Sequence, residues 1–175
     1  MRKLGIIGVL SMLLVAFSAS AALAVVNFEN APQGAHFAQG FGEPVCTANE
    51  AGTAVTCTGT EIEGVGHTNA TVNLAITATV TGVCHNPGVN SKIVEPFTRT
   101  VTSSTSTELT STKNGRLIVP AQTTTAPTEE AFLETFTCPN PNWTPEVTDI
   151  EITGFTYTLT FEGETAPAIS ITGTL

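Results

Sequence analysis

A long alternation of apolar and polar side chains constrains the fold of this chain more than any other feature. From Ala70 to Cys84 the sequence reads ATVNLAITATVTGVC, and every second residue from Val72 to Val80 is apolar, while threonine fills four of the six alternate positions from residue 71 to residue 81. A period of two that persists over this length is typical of a β-strand with one buried face and one solvated face. The chain must therefore contain at least one sheet with a hydrophobic side.

A second alternation, from Thr148 to Phe161, changes phase in its middle. Ile150 and Ile152 keep one phase, whereas the residues from Phe155 to Phe161 keep the other, and Gly154 lies between them. Because a shift of one residue would turn half of the strand toward the wrong face, we predict a β-bulge or a strand switch at Gly154. The alternation then resumes in PAISITGTL, which predicts a terminal hairpin with Pro167 at a sheet edge.

Shorter segments complete the prediction of an all-β fold. Five of them combine β-branched or aromatic residues with turn residues at their ends: VCTA, TAVTCTGTEI, FTRTVTS, GRLIVPA and AFLETFT. A helical alternative exists only at residues 128–136, where Thr128 suits an N-cap but Thr135 and Thr137 favour a strand. About seven to nine short strands favour an immunoglobulin-like antiparallel β-sandwich, with a jelly roll as the alternative.

The N-terminus has the three parts of a secretory signal peptide. Arg2 and Lys3 precede an apolar run over residues 4–17, and the small residues SASAALA follow. The run is shorter than the roughly 20 residues of a membrane-spanning helix. We predict a signal peptide over residues 1–24, an N-terminal arm or first strand over 25–43, and a single domain over 44–175. The mature protein is then expected to be secreted, extracellular or attached to the cell surface, with no membrane association.

The cysteines point to a disulfide-stabilised domain. The chain has four cysteines, and an even number in an exported protein favours two disulfides. The segment between Cys46 and Cys57 reads as a turn and a strand, while Cys84 and Cys138 each begin a C-x-N-P sequence that enters a proline-limited loop. Of the three possible connectivities we predict Cys46–Cys57 and Cys84–Cys138, with the two C-x-N-P loops side by side at one end of a sheet.

Charge and motifs argue against several classes of partner. With 15 acidic and 6 basic residues, the protein is expected to repel phosphate, so nucleic acid and anionic membranes are poor partners. The sequence has no C-x-x-C motif and no clustered histidines, which argues against a metal site and gives no reason to expect a cofactor. The basic residues beyond position 24 form a candidate patch: Lys92, Arg99, Lys113 and Arg116.

The only tryptophan, Trp143, lies in the segment CPNPNWT. Two prolines place it on a stiff loop, and we weigh two roles for it. It can seal the end of the core over the disulfide, which we favour, or it can stand exposed as a platform for a sugar ring. Tyr157, by contrast, shares the phase of Phe155 and Leu159 and is expected to point inward. The candidate ligand loops comprise Asn86, Pro87, Asn140, Asn142 and Trp143.

Several of these segments together resemble a known group of proteins. The stretch from Thr56 to Gly88, the sequence KNGRL, and CPNPNWT with the strand after it resemble an uncharacterised family of small secreted proteins common in actinobacteria. That family carries a C-x-NPG loop and a later CPNPNWT segment, and the similarity covers most of residues 56–161. The resemblance implies export and a small β domain with four cysteines, and it implies no activity.

Catalysis is disfavoured by the motifs. The sequence contains no G-x-S-x-G elbow, no H-E-x-x-H and no phosphate loop. We therefore predict a non-catalytic extracellular binding module for a polysaccharide or a protein partner. One alternative is a structural, self-associating surface protein that uses its N-terminal arm, and the oligomeric state is left open. A second alternative is a small glycan-active enzyme with a carboxylate pair drawn from Glu129, Glu130, Glu134, Glu146 and Glu151.

Overall fold

The computed structural model describes residues 22–88 and 93–175, without the side chains of residues 93 and 94. The predicted signal peptide up to residue 21 and Lys92 lie outside the described residues. The described part contains eleven strands, one short α-helix and one turn of 3-10 helix at Phe28–Asn30. The strands and the helix are β1 Leu23–Val26, β2 His36–Phe37, β3 Cys46–Ala48, β4 Ala54–Cys57, β5 Thr60–Glu63, β6 Ala70–His85, β7 Ile93–Leu109, β8 Leu117–Val119, β9 Gln122–Thr125, α1 Glu129–Leu133, β10 Thr144–Phe161 and β11 Ile169–Thr174.

The strands form three antiparallel sheets. A five-stranded sheet has the order β1-β11-β10-β6-β7, and two three-stranded sheets have the orders β2-β5-β8 and β3-β4-β9. The mostly-β, antiparallel class is therefore confirmed, whereas the immunoglobulin-like arrangement stays a prediction. The strands outnumber the predicted seven to nine, partly because TAVTCTGTEI divides into β4 and β5 on either side of Thr58 and Gly59.

Strand β6 follows its sequence pattern without interruption. Val72, Leu74 and Val80 are fully buried, whereas the residues between them, from Thr71 to His85, are exposed or half-buried. Neighbouring β10 keeps the same alternation only because of a bulge: it pairs Ile152 with Ala78 and Gly154 with Thr77, which leaves Thr153 as an extra residue. The predicted bulge at Gly154 is confirmed. A second one at Thr148 was not predicted.

All three sheets contribute to the main core, our name for the larger of two buried clusters. The core face of the five-stranded sheet supplies Leu74, Tyr157 and Ile169, and the small sheets supply Val55 and Ile62, all fully buried. Tyr157 points inward as predicted. The hairpin of β3 and β4 is shaped by Asn49, whose Oδ1 accepts hydrogen bonds from the backbone N–H groups of Thr53 at 2.8 Å and Ala54 at 3.0 Å.

The long strands continue beyond the small sheets and bury a second cluster, which we call the distal cluster. It consists of Val80, Cys84, Phe97, Phe132 and Cys138. Its cover is the irregular segment 126–143, which includes helix α1. The strand predicted at AFLETFT is wrong here, because the Thr128 Oγ1 accepts a hydrogen bond from the Ala131 N–H at 3.2 Å and begins the helix.

One further expectation about the chain ends needs correction. Strand β11 is not at an edge, because β1 pairs on its outer side and Pro167 lies in the loop before it. The signal-peptide boundary after Ala24 stays a prediction, and Ala24 and Val25 pair with Ile171 and Ser170 in β1. The N-terminal segment packs on its own domain: β2 pairs with β5, and the rings of Phe28 and Phe37 meet edge to face at 5.1 Å.

Candidate functional site

The disulfides bring the two C-x-N-P loops together. Both predicted bonds are present, Cys46–Cys57 between directly paired residues of β3 and β4 and Cys84–Cys138 across the distal cluster. Strand β10 begins where β6 ends, since Thr144 pairs with His85. The loops at residues 86–88 and 139–143, which we call the tip loops, are therefore neighbours at one end of the five-stranded sheet, as predicted.

Side-chain hydrogen bonds hold each tip loop in a tight turn. The Asn86 Oδ1 accepts from the Gly88 N–H at 3.0 Å, and the Asn140 Oδ1 accepts from the Asn142 N–H at 3.0 Å. The Asn140 carbonyl also accepts from the Trp143 N–H at 3.0 Å. Asparagine favours such turns because its short side chain mimics a backbone acceptor. The turns leave Asn86, Pro87 and Asn142 exposed.

Trp143 contributes to the interior more than to the surface. It is half-buried and packs against the distal cluster together with Phe136 and Val147. Of the two predicted roles, this packing agrees with the sealing role. The five candidate ligand-loop residues therefore fall into two groups. Asn86, Pro87 and Asn142 are exposed at the tip, whereas Asn140 holds the turn by its hydrogen bonds and Trp143 packs against the distal cluster.

A glycine in β6 gives an aromatic ring its place in the distal cluster. Gly82 pairs directly with Phe97, and a Cβ atom at Gly82 would lie 2.4 Å from the Phe97 ring, closer than any real contact. The Phe97 ring in turn packs against Phe136 and Phe132, with ring centroids 4.2 Å and 6.0 Å away. The absence of a side chain at Gly82 therefore leaves the space that the Phe97 ring occupies in the distal cluster.

A histidine–carboxylate contact that sequence reasoning missed lies beside the tip. The His85 Nε2 is 2.6 Å from a carboxylate oxygen of Glu146, and the two side chains are 25% and 59% exposed. Both residues lie on the face of the sheet opposite the distal cluster, because Glu146 pairs with Val83 rather than with a buried residue. Sequence offers no signal for this pair, since 61 residues separate its members and only the strand register brings them together.

The described members of the predicted basic patch do not lie together. Arg99 pairs with Val80 near the distal end of β7 and lies 5.6 Å from the centroid of the Phe136 ring. Lys113 and Arg116 follow the opposite end of β7, about 33 Å away along a strand that rises about 3.3 Å per residue. Lys92 lies outside the described residues. The closeness of these residues in sequence suggested a patch, but the long strand β7 separates Arg99 from Lys113 and Arg116 in space.

Arg116 is, in addition, neutralised by neighbouring carboxylates. It donates a hydrogen bond to Glu63, and its other terminal nitrogen lies 3.2 Å from Glu61 in an ionic contact. The hydrogen bond to Glu63, together with the charges of Glu61 and Glu63, raises the pKa of the Arg116 guanidinium above its ordinary value. This residue is therefore part of a local ion-pair group on the small sheet β2-β5-β8.

The acidic residues proposed as a glycan-active pair are divided by the sheet. Glu129, Glu130 and Glu134 line an open depression on α1, and α1 covers the core face through Phe132. Glu146 and Glu151 lie on the opposite face, where they pair with Val83 and Thr79. Within the described residues, no group of three or more His, Cys, Asp or Glu is placed to hold a metal ion.

Comparisons with known proteins add no relationship. No protein-family model matches the chain, and neither the curated proteins nor the solved structures contain a significant match to it. In the part of the chain that the structure describes, no helix is long and apolar enough to cross a membrane. The resemblance to the family with C-x-NPG and CPNPNWT segments stays a prediction.

Proposed function

We propose that this protein is a secreted, non-catalytic binding module that recognises a polysaccharide or a protein partner outside the cell through its tip loops. The observation that supports the proposal most is the pre-ordered tip, where a buried disulfide, two turns made by asparagine side chains and the β6–β10 register hold exposed polar groups in fixed positions. Loops on a rigid scaffold are where binding residues concentrate.

The chemistry of the tip suits recognition better than catalysis. Asn142 offers an amide that both donates and accepts hydrogen bonds, and Pro87 offers a rigid apolar surface beside it. Since side-chain hydrogen bonds and a disulfide hold residues 86–88 and 139–143 in place, these residues lose little conformational entropy when a partner binds. The candidate carboxylates of a glycan-active enzyme, in contrast, are divided between an open depression on α1 and the opposite face of the sheet. Neither group lies in the deep cleft that such chemistry needs, so the enzyme alternative has less support.

Secretion is supported by the two disulfides, which persist in oxidising compartments. The self-associating alternative has less support than the binding module, because the segment over residues 25–43 pairs and packs within its own chain. Light scattering after size exclusion of the protein that begins at Val25 separates the two: the binding module is expected to be monomeric, and a stable polymer would favour the structural role.

A matched pair of substitutions tests the tip as the binding site. Asn142→Ala removes the exposed amide at the tip, and Asn114→Ala removes an exposed amide beyond the opposite end of β7. Binding is measured by co-sedimentation with cellulose, chitin and purified peptidoglycan, and by surface plasmon resonance with purified cell-surface proteins of the producing strain. We expect Asn142→Ala to weaken binding at least tenfold and Asn114→Ala to leave it unchanged. Equal affinity of both variants for every probe contradicts the tip as the site.

A further inference from the structure

The two disulfides of this protein differ in how the backbone approaches them. Cys46 lies directly opposite Cys57 in the β3–β4 register, so the first bond joins paired residues of neighbouring strands. The second bond joins Cys84 of β6 to Cys138 of an irregular segment. The Cα atoms of Cys84 and Cys138 are 6.0 Å apart, within the range of about 4.4–6.8 Å that is usual for disulfides. Those of Cys46 and Cys57 are only 3.9 Å apart.

The close approach of Cys46 and Cys57 is also unusual for a β-sheet. Directly opposite residues of antiparallel strands have Cα atoms about 4.5 Å or about 5.5 Å apart, depending on whether the pair is hydrogen-bonded. At 3.9 Å, the bond holds β3 and β4 closer together than their backbone pairing requires. Opening the bond allows the strands to return to their ordinary spacing. A disulfide that departs from the preferred geometry is more easily reduced.

Solvent access favours reaction at the same bond. Cys46 is half-buried, and its neighbours Val45 and Thr47 are exposed. Strand β3 has three residues and is the outer strand of its sheet, with β4 as its only neighbour among the described strands. Cys84 and Cys138, in contrast, are 1% and 4% exposed. A reductant can therefore approach Cys46 from solvent, whereas the other bond is shielded at both ends.

The β3–β4 hairpin is also held without its disulfide. The Val45 carbonyl accepts a hydrogen bond from the Thr58 N–H at 3.0 Å, and the Thr58 Oγ1 accepts one from the Val45 N–H at 2.9 Å. At the other end of the hairpin, the Asn49 side chain holds the turn. Strand β4 is paired along its whole length with β9. We therefore expect the fold to survive opening of the bond between Cys46 and Cys57.

We infer that Cys46–Cys57 is a reactive disulfide that a dithiol reductant opens by thiol–disulfide exchange, whereas Cys84–Cys138 is purely structural. This inference goes beyond the binding function proposed above, because the tip loops take no part in it. Disulfides that are strained or exposed have more oxidising potentials and are the labile ones in proteins.

The exchange begins at the more accessible cysteine. A thiolate of the dithiol attacks the Cys46 Sγ, a bond forms between these two sulfur atoms, and the bond to Cys57 breaks. Cys57 leaves as a thiolate and takes up a proton, since its buried, apolar surroundings favour the neutral thiol. The second thiol of the reductant then attacks the mixed disulfide and releases Cys46. In total, two electrons and two protons pass from the dithiol to the protein, and the reductant becomes a disulfide.

The test uses the unchanged, oxidised protein, in which each disulfide is the control for the other. Samples are equilibrated without urea at a series of ratios of reduced to oxidised dithiothreitol, and free thiols are alkylated with iodoacetamide. Peptide mass spectrometry gives the alkylated fraction at each cysteine. We expect Cys46 and Cys57 to be half reduced at a ratio at least about tenfold lower than Cys84 and Cys138, which corresponds to about 30 mV for a two-electron couple. A time course at one ratio should show the same order in rate.

Equal midpoints, or a lower midpoint ratio for Cys84–Cys138, overturn the inference. Faster opening of Cys46–Cys57 with equal midpoints means that the bonds differ in access alone, which also overturns it. Circular dichroism of the sample in which only Cys46 and Cys57 are reduced tests whether the fold survives. A native spectrum, with the bond recovered on reoxidation, supports the inference, whereas an unfolded spectrum identifies this bond as structural and overturns it.

Two double variants test whether each bond responds on its own. Cys84→Ala with Cys138→Ala retains only the hairpin bond, and Cys46→Ala with Cys57→Ala retains only the other. The same difference between the two midpoints supports the inference, because each bond's own geometry and access then set its midpoint. If the difference disappears, reduction of one bond depends on the other and the inference is overturned. Where a variant does not fold, the titration of the unchanged protein decides.

Discussion

The main core and the distal cluster are built on the same three long strands but are covered in different ways. Over the main core, the five-stranded sheet meets two further sheets, and residues such as Leu74 and Tyr157 are completely buried. Over the distal cluster, the cover is the irregular segment 126–143, held by one short helix, the half-buried Trp143 and the Cys84–Cys138 bond. Sheet packing covers the main core, whereas a loop held by a disulfide covers the distal cluster.

This difference locates function as well as stability. Few residues between packed sheets can be substituted without loss of the fold. A loop held by a disulfide, in contrast, can carry many different side chains on its surface. Regions with fewer buried contacts open first in local unfolding. We therefore expect the distal end, where the tip loops lie, to have lower local stability than the main core even though the same strands run through both.

The largest expected effect comes from truncating one phenylalanine in each region. Phe161→Ala removes a ring that is 1% exposed in the main core and should lower the free energy of unfolding by about 3–5 kcal/mol. Phe136→Ala removes a half-buried ring beside the distal cluster and should cost less. Urea unfolding followed by circular dichroism measures both values. A larger loss for Phe136→Ala would contradict the order of stability proposed here.

The two regions also differ in how far the sequence predicts them. In the main core one face of β6 and β10 is buried, which requires an apolar residue at every second position. The sequence therefore predicts which residues are buried and where the bulge at Gly154 lies. At the distal end the helix has only five residues, too few for a periodic signal, and Thr135 and Thr137 favoured a strand. The structure of the tip loops depends on contacts between segments that are far apart in sequence, which a local pattern does not predict.

Charges near the tip illustrate the same limit. His85 and Glu146 meet only because β10 pairs with β6. Arg99 is separated from Arg116 because the long strand β7 runs without interruption from Arg99 to Leu109. The C-x-N-P repeat, in contrast, predicted the Cys84–Cys138 bond and the adjacent loops correctly, although only Cys84 lies in a strand and the segment before Cys138 is helix α1 and a turn. Local patterns thus predict elements well, whereas residue partners across the sheet require the register.

The second expected effect concerns the disulfides. Replacing Cys84 and Cys138 by alanine opens a loop with a sequence separation of 54 residues, against 11 for Cys46 and Cys57. In the chain-entropy model the losses are about 4 and about 3 kcal/mol. Because only the first bond joins the distal cluster to its cover, we expect the fluorescence of Trp143 to change in that variant alone. An unchanged emission spectrum, with the tip amides still protected from hydrogen exchange, would show that the loop is held without the bond.

The third prediction uses Tyr157 as a reporter of the main core. Burial raises the pKa of its phenol to about 12, whereas an unfolded tyrosine titrates near 10. The folded state therefore retains a proton that the unfolded state loses. Its contribution to stability is complete below about pH 10 and is lost as the pH rises from about 10 to 12, by up to about 3 kcal/mol.

Because the chain has one tyrosine, its absorbance at alkaline pH gives a single titration curve. A midpoint near 10 in the folded protein would mean that water reaches the phenol. The Phe161→Ala variant is the useful comparison, since a cavity in the main core should move the midpoint toward 10, whereas Phe136→Ala should leave it unchanged.

The smallest effect tests whether a single glycine supports the distal cover. Gly82→Ala places a methyl group against the Phe97 ring and the Glu146 carbonyl, which lie 2.4 Å and 2.2 Å from the ideal Cβ position. Relief requires movement of the Phe97 ring and also of the β10 backbone at Glu146, and overpacking of this kind typically costs about 1–3 kcal/mol. Gly42→Ala is the matched control, because nothing lies within 4 Å of its Cβ position.

We expect Gly82→Ala to shift Trp143 emission toward longer wavelength and to leave the Tyr157 titration midpoint unchanged, while Gly42→Ala changes neither. That pattern would show that the distal cover can loosen while the main core stays intact. If Gly82→Ala instead moves both probes together, β6 transmits the strain along its length. The two clusters would then unfold as one cooperative unit, and the tip would owe its order to the whole sheet rather than to its own bond and turns.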